Sequence, residues 1–177
     1  MADREASLSE DTAAMIRVDH AGEYGATRIY AGQLAVLGNR HPAAREIARM
    51  AAQEARHRAR FDALIAERGV RPTLLAPLWD RAGFALGAVT ALISPEAAMA
   101  CTAAVETEID RHYEEQLQAL GTRDSELAET IADFQAEEVE HRETALAHGA
   151  ERAPGYPLMS TAIRLGCRLA IAATRRL

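Results

Sequence analysis

Cysteine and aromatic residues are scarce in this sequence. Only two of its 177 residues are cysteines, Cys101 and Cys167, and aromatic residues make up 5%. The two cysteines are not spaced as a metal or redox pair, which argues against a disulfide framework and favours a reducing compartment. Few aromatics combined with abundant Ala, Leu, Arg and Glu favour helices over strands. The composition therefore predicts an all-α protein.

A basic excess and long apolar runs are also missing. The formal net charge of −6 argues against a nucleic-acid partner. The uncharged stretch "AGFALGAVTALI" is too short to span a bilayer but suits burial in a core or at an interface. The opening residues, "MADREASLSED", are polar and acidic, unlike a secretory signal or an Arg-rich transit peptide. We expect residues 1–8 to be disordered.

Proline, glycine and capping residues divide the chain into four long helices and two further helical segments. The apolar stretch forms one of the further segments, and an amphipathic helix at the C-terminus forms the other. This pattern predicts a four-helix bundle with two attached helices, in one domain spanning residues 1–177. The long helices are predicted over about 9–38, 42–69, 95–120 and 125–148.

Glutamate and histidine recur in the same order along the long helices. The motif "EARH" places Glu54 three residues before His57, and "EEVEH" places Glu138 three residues before His141. This spacing puts both side chains of each pair on one helix face. The other two long helices each add one glutamate. These are Glu23 in "HAGEYGA" and Glu106 in "AVETEID".

The repeated order predicts a dinuclear metal site. A single Glu-x-x-His motif is compatible with a solvated charged face, but the second set follows the first by 83 and 84 positions. Four carboxylates balance two divalent ions, and oxygen with imidazole ligands suits iron or manganese. Without metal, we expect burial and repulsion to raise the pKa of all four carboxyls. The predicted ligands are bridging Glu54 and Glu138, outer Glu23 and Glu106, and one imidazole per ion from His57 and His141.

Five stretches of the chain resemble the demethoxyubiquinone hydroxylases of ubiquinone biosynthesis. They are "RVDHAGEYGATRIYAGQLAVL", "EARH", "CTAAVETEIDRHYEEQL", "EEVEH" and "AIRLGCRLAIAATRRL". The resemblance implies a ferritin-like di-iron monooxygenase with two Fe ions per chain, which hydroxylates the demethoxyubiquinol ring with O2. It also implies NADH or another reductant as the electron source, and a lipid-binding accessory protein as a partner. We expect a bacterial form, peripheral to the cytoplasmic face of the inner membrane.

Two residues beyond the predicted ligands receive a role from this resemblance. His112 and Tyr113 follow Glu106 by six and seven positions. The resemblance implies that they act in substrate or electron transfer. Packing remains an alternative for Tyr113, and exposure to solvent remains one for His112.

Other polar neighbours are predicted to support the site or to lie outside it. Asp110 is one turn after Glu106 and is expected to hydrogen-bond a ligand imidazole. His20 and Asp19 precede Glu23 by three and four positions, and we expect them to support or cap the site rather than bind metal. The glutamates predicted to be solvated are Glu137, Glu140 and Glu143.

The last helix carries arginines and leucines on separate sides. Arg164, Arg168 and Arg175 fall within an arc of about 40°, while leucines occupy another side. The leucines are Leu158, Leu165 and Leu169. This pattern is typical of a helix lying on an anionic membrane, although a solvated basic face looks the same. The leading function is a membrane-associated hydroxylase, with a ferritin-like iron oxidation or storage protein and a metal-stabilised scaffold as alternatives.

Overall fold

A computed structural model describes residues 9–39 and 41–177, and this part of the chain contains helices and no strand. The all-α prediction is therefore confirmed. The disorder expected for residues 1–8 lies outside the described residues. The elements are α1 (Glu10–Leu37), α2 (Pro42–Arg68), α3 (Ala76–Ile93), α4 (Pro95–Leu120), α5 (Ser125–Ala147), a short 3-10 turn (Ala150–Arg152) and α6 (Tyr156–Arg176).

Capping side chains and glycines set the helix boundaries. The Ser9 hydroxyl accepts a hydrogen bond from the Thr12 backbone N–H at 3.1 Å, which caps α1. The Ser94 hydroxyl caps α4 in the same way. Gly69 ends α2 with a φ of 63°, a backbone conformation that residues other than glycine rarely adopt. The predicted boundaries of the four long helices consequently agree with the observed ones to within about two residues.

The long helices α1, α2, α4 and α5 form the predicted four-helix bundle, and its core has two apolar layers. One layer includes Tyr30, Ile47 and Met50. The other includes Phe61 and Ile131 among its buried members. The predicted metal ligands on α2 and α5 lie in sequence between the residues of these two layers. Apolar packing on both sides therefore shields the middle of the bundle from water.

The backbones of α3 and α1 approach each other so closely that only glycine fits at the points of contact. A Cβ placed on Gly87 of α3 would overlap the carbonyl oxygen of Ile29. A Cβ on Gly32 of α1 would likewise overlap the carbonyl oxygen of Phe84. Any side chain at either glycine would push the two helices apart.

Helix α6 is anchored to α4 by a buried carboxylate. Glu108 has no solvent exposure, and it accepts hydrogen bonds from Arg164 Nε at 2.6 Å and Arg168 Nε at 2.8 Å. Burial alone would raise the pKa of Glu108, but the two guanidinium groups hold it at about 2. Both side chains nevertheless remain partly exposed, Arg164 at 39% and Arg168 at 46%, so the contact of this basic arc with a membrane stays a prediction. Arg175 is 61% exposed and lies 3.6 Å from Asp11.

The three leucines that the sequence places on a separate side of α6 are exposed. Leu158 is 77% exposed, Leu165 56% and Leu169 63%. At the end of α3, Leu92 and Ile93 are also exposed. Within the described residues, no helix has the length and apolar character needed to cross a bilayer.

Candidate metal centre

Six polar side chains from the four bundle helices meet in the interior, and none is more than 3% exposed. Helices α1 and α4 each supply one glutamate, whereas α2 and α5 each supply a glutamate and the histidine one turn later. The structure thus brings together all six predicted ligands. They are Glu23, Glu54, His57, Glu106, Glu138 and His141.

The six side chains form two overlapping groups of four. In each group, one oxygen or nitrogen atom from every member lies within 4.8 Å of the others. Both groups contain Glu54 and Glu138. The first group adds Glu23 and His57, and the second adds Glu106 and His141. Two shared carboxylates between two groups are the arrangement needed to hold a pair of metal ions.

Both imidazoles turn Nδ1 towards the carboxylates. Nδ1 of His57 lies 3.1 Å from Glu138 Oε1, and Nδ1 of His141 lies 3.1 Å from Glu138 Oε2. The opposite nitrogens face other partners: His57 Nε2 is 3.2 Å from Glu137 Oε2, and His141 Nε2 is 3.1 Å from Gln53 Oε1. A hydrogen on each Nε2 leaves Nδ1 free to bind a cation.

The prediction that Glu137 is solvated is wrong, because its carboxylate supports the His57 ring. Glu140 and Glu143 are exposed, as predicted. All three glutamates lie on α5, and the sequence spacing alone does not show which one contacts a ligand imidazole on α2. Gln53, which supports His141, was missed by the sequence reasoning. It occupies the position before Glu54, as Glu137 occupies the position before Glu138.

Two buried tyrosines hold the outer carboxylates. The Tyr113 hydroxyl on α4 donates a hydrogen bond to Glu23 Oε1 on α1. In return, the Tyr30 hydroxyl on α1 donates to Glu106 Oε1 on α4 at 2.9 Å. Tyr113 therefore does more than pack. Tyr30 was missed, yet it follows Glu23 by seven positions, as Tyr113 follows Glu106.

The charges of the metal-free cluster are unequal. Burial raises the pKa of Glu23, Glu54 and Glu106, and the charge of Glu138 raises each further. The prediction that the pKa of Glu138 is raised is wrong. Burial alone would raise this pKa, but hydrogen bonds from His141 and His57 lower it. Burial lowers the pKa of His57, yet hydrogen bonds to Glu138 and Glu23 raise it to about 10. An entering metal ion would displace protons from this cluster.

His112 lies beside the cluster, against another buried carboxylate, that of Asp19. Its Nε2 is 2.9 Å from Gln116 Nε2 and 3.4 Å from Asp19 Oδ1. The side chain is 15% exposed, so the alternative of a solvated histidine is wrong. Asp19 also accepts a hydrogen bond from Gln116 at 2.8 Å. His112 and Asp19 therefore form a polar contact between α4 and α1.

Two further predicted neighbours lie away from the imidazole ligands. His20 Nε2 contacts Asp62 Oδ1 at 2.8 Å, which is consistent with the expectation that it does not bind metal. Asp110 accepts hydrogen bonds from Gln135 at 2.8 Å and Arg142 at 2.6 Å. The predicted contact between Asp110 and a ligand imidazole is therefore wrong, since Asp110 instead connects α4 to α5.

The donor atoms fit a pair of divalent cations. Glu23 Oε2 lies 3.5 Å from Nδ1 of His57, and Glu54 Oε1 lies 3.1 Å from Nδ1 of His141. Four buried carboxylates crowded around two imidazoles are costly in an apolar interior, and cations between them would remove that cost. Oxygen and imidazole donors without a thiolate suit iron or manganese.

An apolar cavity of about 480 Å³ lies between α1, α3, α4 and α6. Ala26 and Ile109 line it, and each is one turn after an outer glutamate on the same helix face. Gly25 and Gly166 widen it, because no atom lies within 4 Å of where their Cβ would stand. The cavity therefore reaches from the surface formed by α6 towards Glu23 and Glu106.

The chain is similar over most of its length to proteins named for ubiquinone biosynthesis. A family model described as "Ubiquinone biosynthesis protein COQ7" matches residues 10–174. The 3-demethoxyubiquinol 3-hydroxylase of Rhodospirillum rubrum is 53% identical over 161 residues, which cover 91% of this chain and 76% of that protein. The human mitochondrial NADPH-dependent 3-demethoxyubiquinone 3-hydroxylase is 50% identical over 167 residues, covering 92% and 76%. The mitochondrial 5-demethoxyubiquinone hydroxylase of Saccharomyces cerevisiae is 44% identical over 179 residues, covering 92% and 77%.

Proposed function

Because the chain belongs to the COQ7 family of ubiquinone biosynthesis proteins, we propose that it hydroxylates the ring of a demethoxyubiquinol with O2. One oxygen atom enters the ring and the other leaves as water, so the reaction consumes two electrons from a reductant. The observation that carries the proposal is the pair of overlapping carboxylate and imidazole groups next to an apolar cavity.

The six buried side chains are proposed to hold two iron ions. Glu54 and Glu138 belong to both groups and would bridge the ions. The remaining glutamate and histidine of each group would complete one position. When bound, the iron pair would supply the redox chemistry that activates O2.

The cavity is proposed to bind the quinone. Its lining is almost entirely apolar, which suits a prenylated ring and excludes water from the reaction. Because Ala26 and Ile109 lie one turn from the outer glutamates, a ring at this end would be close to both groups. The chain itself would orient the ring and keep the surroundings dry.

His112 and Tyr113 are proposed to act in substrate binding or electron transfer. Tyr113 is in direct contact with Glu23, and His112 precedes it on α4 with a contact to the buried Asp19. The human relative is named as NADPH-dependent, which supports a reduced nicotinamide nucleotide as the electron source here but does not favour NADH over NADPH.

The membrane is proposed as the source of the quinone. The exposed leucines of α6 and the exposed end of α3 lie on the two helices that also wall the cavity. Burying this apolar surface in lipid would bring the cavity mouth to the bilayer. We place the protein peripherally on the cytoplasmic face of a bacterial inner membrane. A lipid-binding accessory protein is a further proposed partner, delivering the quinone at the same surface.

Iron oxidation or storage is the second candidate function, and the same carboxylate cluster favours it. The apolar cavity distinguishes the two, because hydrated iron ions gain nothing from an apolar wall. The deciding experiment is a single turnover of the reduced, iron-loaded chain with ¹⁸O2 and demethoxyubiquinol, followed by mass spectrometry of the quinone. Label on the ring supports hydroxylation. Oxygen consumption that yields ferric oxide and unlabelled quinone supports storage.

A further inference from the structure

The two histidines of the metal centre are supported by chemically different side chains. His57 Nε2 faces the carboxylate of Glu137, whereas His141 Nε2 faces the amide oxygen of Gln53. Gln53 and Glu137 are equivalent positions of the two Glu-x-x-His motifs, since each directly precedes the shared glutamate. The centre is therefore symmetric in its predicted ligands but asymmetric in the groups behind them.

The contact between the two supporting side chains fixes which atom each presents. Gln53 Nε2 donates to Glu137 Oε2 at 2.9 Å. The amide nitrogen is thus used for Glu137, which leaves the amide oxygen for His141. The orientation of Gln53 therefore follows from two independent contacts.

Neighbouring arginines do not remove the asymmetry. Arg56 contacts Glu137 Oε2 at 3.1 Å, and Arg49 donates to Gln53 Oε1 at 2.9 Å. Each histidine support thus has one guanidinium beside it, and the supports still differ by one negative charge. Glu137 is 28% exposed and Arg56 64%, so water screens that ion pair.

A carboxylate behind an imidazole makes the ring a better metal ligand than an amide does. An ionised acceptor forms a stronger hydrogen bond with the ring N–H and increases the electron density at the opposite nitrogen. Nδ1 of His57 should therefore bind a cation more strongly than Nδ1 of His141.

We propose that Glu137 and Gln53 are positioning residues that make the two metal positions unequal, so that the position at His57 binds its divalent ion more tightly. This inference rests on the metal centre proposed above. It assigns a role to the two residues that the predicted ligand set does not contain.

Cobalt(II) binding to the full chain without O2 tests the inference without using activity. His141→Ala leaves the group around His57 intact, and His57→Ala leaves the group around His141 intact, so each variant isolates one position. We expect the His141→Ala chain to bind the first cobalt(II) more tightly in a chelator competition. Adding Glu137→Gln should weaken binding by about 10- to 100-fold in the His141→Ala chain. The same change should alter the His57→Ala chain by less than about threefold.

Two further variants separate ring support from general charge and folding effects. Glu140→Gln removes a carboxylate from the same helix as Glu137, but this carboxylate contacts Arg49 and not an imidazole. The change should alter cobalt affinity in neither the His141→Ala nor the His57→Ala chain. The double exchange Gln53→Glu with Glu137→Gln keeps one carboxylate and one amide in contact, and it should reverse the order of the two positions. Circular dichroism and thermal melts verify that each variant folds.

Four outcomes are decisive. An order that stays the same in the double exchange, or a Glu137→Gln effect equal to that of Glu140→Gln, overturns the inference. Equal cobalt affinities in the His141→Ala and His57→Ala chains also overturn the inference, but they leave the proposed metal centre standing. Failure of the unmodified chain to bind cobalt or iron at all would instead overturn the metal centre.

Discussion

The Tyr113 hydroxyl donates a hydrogen bond to Glu23 Oε1, and Glu23 Oε2 lies 3.5 Å from Nδ1 of His57. Tyr30 makes the equivalent contact with Glu106 in the opposite direction across the bundle. Each outer glutamate is thus held by a tyrosine from the helix that carries the other glutamate. These crossed contacts orient the carboxylates before any ion binds.

The crossed tyrosines give the first prediction. Tyr113→Phe and Tyr30→Phe each remove one hydrogen bond from an outer carboxylate, so each should weaken iron binding by about tenfold. Only Tyr113→Phe should also slow hydroxylation when both iron positions are filled, because only Tyr113 is proposed to act in substrate or electron transfer. Iron content and single-turnover rates measured on the same samples separate these effects. Equal rate losses in both variants would show that the tyrosines serve only to hold the carboxylates.

The positions of the six predicted ligands were accessible from the sequence because they depend on spacing within single helices. A Glu-x-x-His pair shares a helix face whatever surrounds it. The repeat at 83 positions also relates Tyr30 to Tyr113 and Gln33 to Gln116. Gln33 contacts Thr102 across the bundle, and Gln116 contacts Asp19, at positions that are again 83 apart. A longer comparison of the two halves would have found these pairs.

The remaining errors and missed contacts concern pairs of helices, which helical periodicity does not contain. Arg164 and Arg168 form a basic arc in the sequence, but their partner Glu108 lies on another helix. Asp110 has the spacing to reach towards the site, yet Arg142 on α5 binds it instead. Glu137 differs from its exposed neighbours Glu140 and Glu143 because it contacts the ring of His57 on α2. Each of these contacts depends on the relative placement of two helices.

The second prediction concerns the shared carboxylates. Glu54→Ala and Glu138→Ala should each abolish the binding of both iron ions, because both residues belong to both groups. Glu23→Ala and Glu106→Ala each alter one group and should leave about one ion per chain. Iron analysis and Mössbauer spectroscopy of reconstituted protein provide the measurement. The proposed bridging roles are wrong if a single ion persists in the Glu54 and Glu138 variants as well.

The third prediction concerns the cavity. Gly166→Leu adds a side chain into open space at the cavity wall, so it should block quinone binding without disturbing neighbouring atoms. We expect KM for the quinone to rise at least about tenfold, because a leucine side chain displaces the apolar contacts of a comparable part of the ligand. Iron content should stay unchanged. Thr161→Leu on the same helix is the matched control, since Thr161 is exposed and does not line the cavity. A normal KM in the Gly166 variant would place the quinone elsewhere.

The fourth prediction concerns the anchor of α6. Arg164→Met with Arg168→Met leaves the buried Glu108 with Arg111 as its remaining cation, so the melting temperature should fall by roughly 5–10 °C. Adding Glu108→Met removes the poorly compensated charge and should restore most of the loss. Arg175→Met removes only an exposed contact and serves as the control. If the triple variant melts no higher than the double variant, the arginines stabilise α6 by packing rather than by pairing with Glu108.

The fifth prediction concerns membrane contact by α6. Leu165→Ser with Leu169→Ser removes two exposed apolar side chains, and each leucine contributes about 1.5 kcal/mol or more when it leaves water. Binding to phospholipid vesicles should therefore weaken by about a hundredfold, measured by co-sedimentation at high salt, where attraction between charges is screened. Leu146→Ser on α5, 37% exposed and on a helix that does not line the cavity, is the control and should bind normally. Arg111, Arg164 and Arg168 share the single negative charge of Glu108, so added salt should weaken but not abolish binding of the unmodified chain to anionic vesicles. Vesicle binding that survives the double substitution, or that salt abolishes, would contradict an apolar contact through α6.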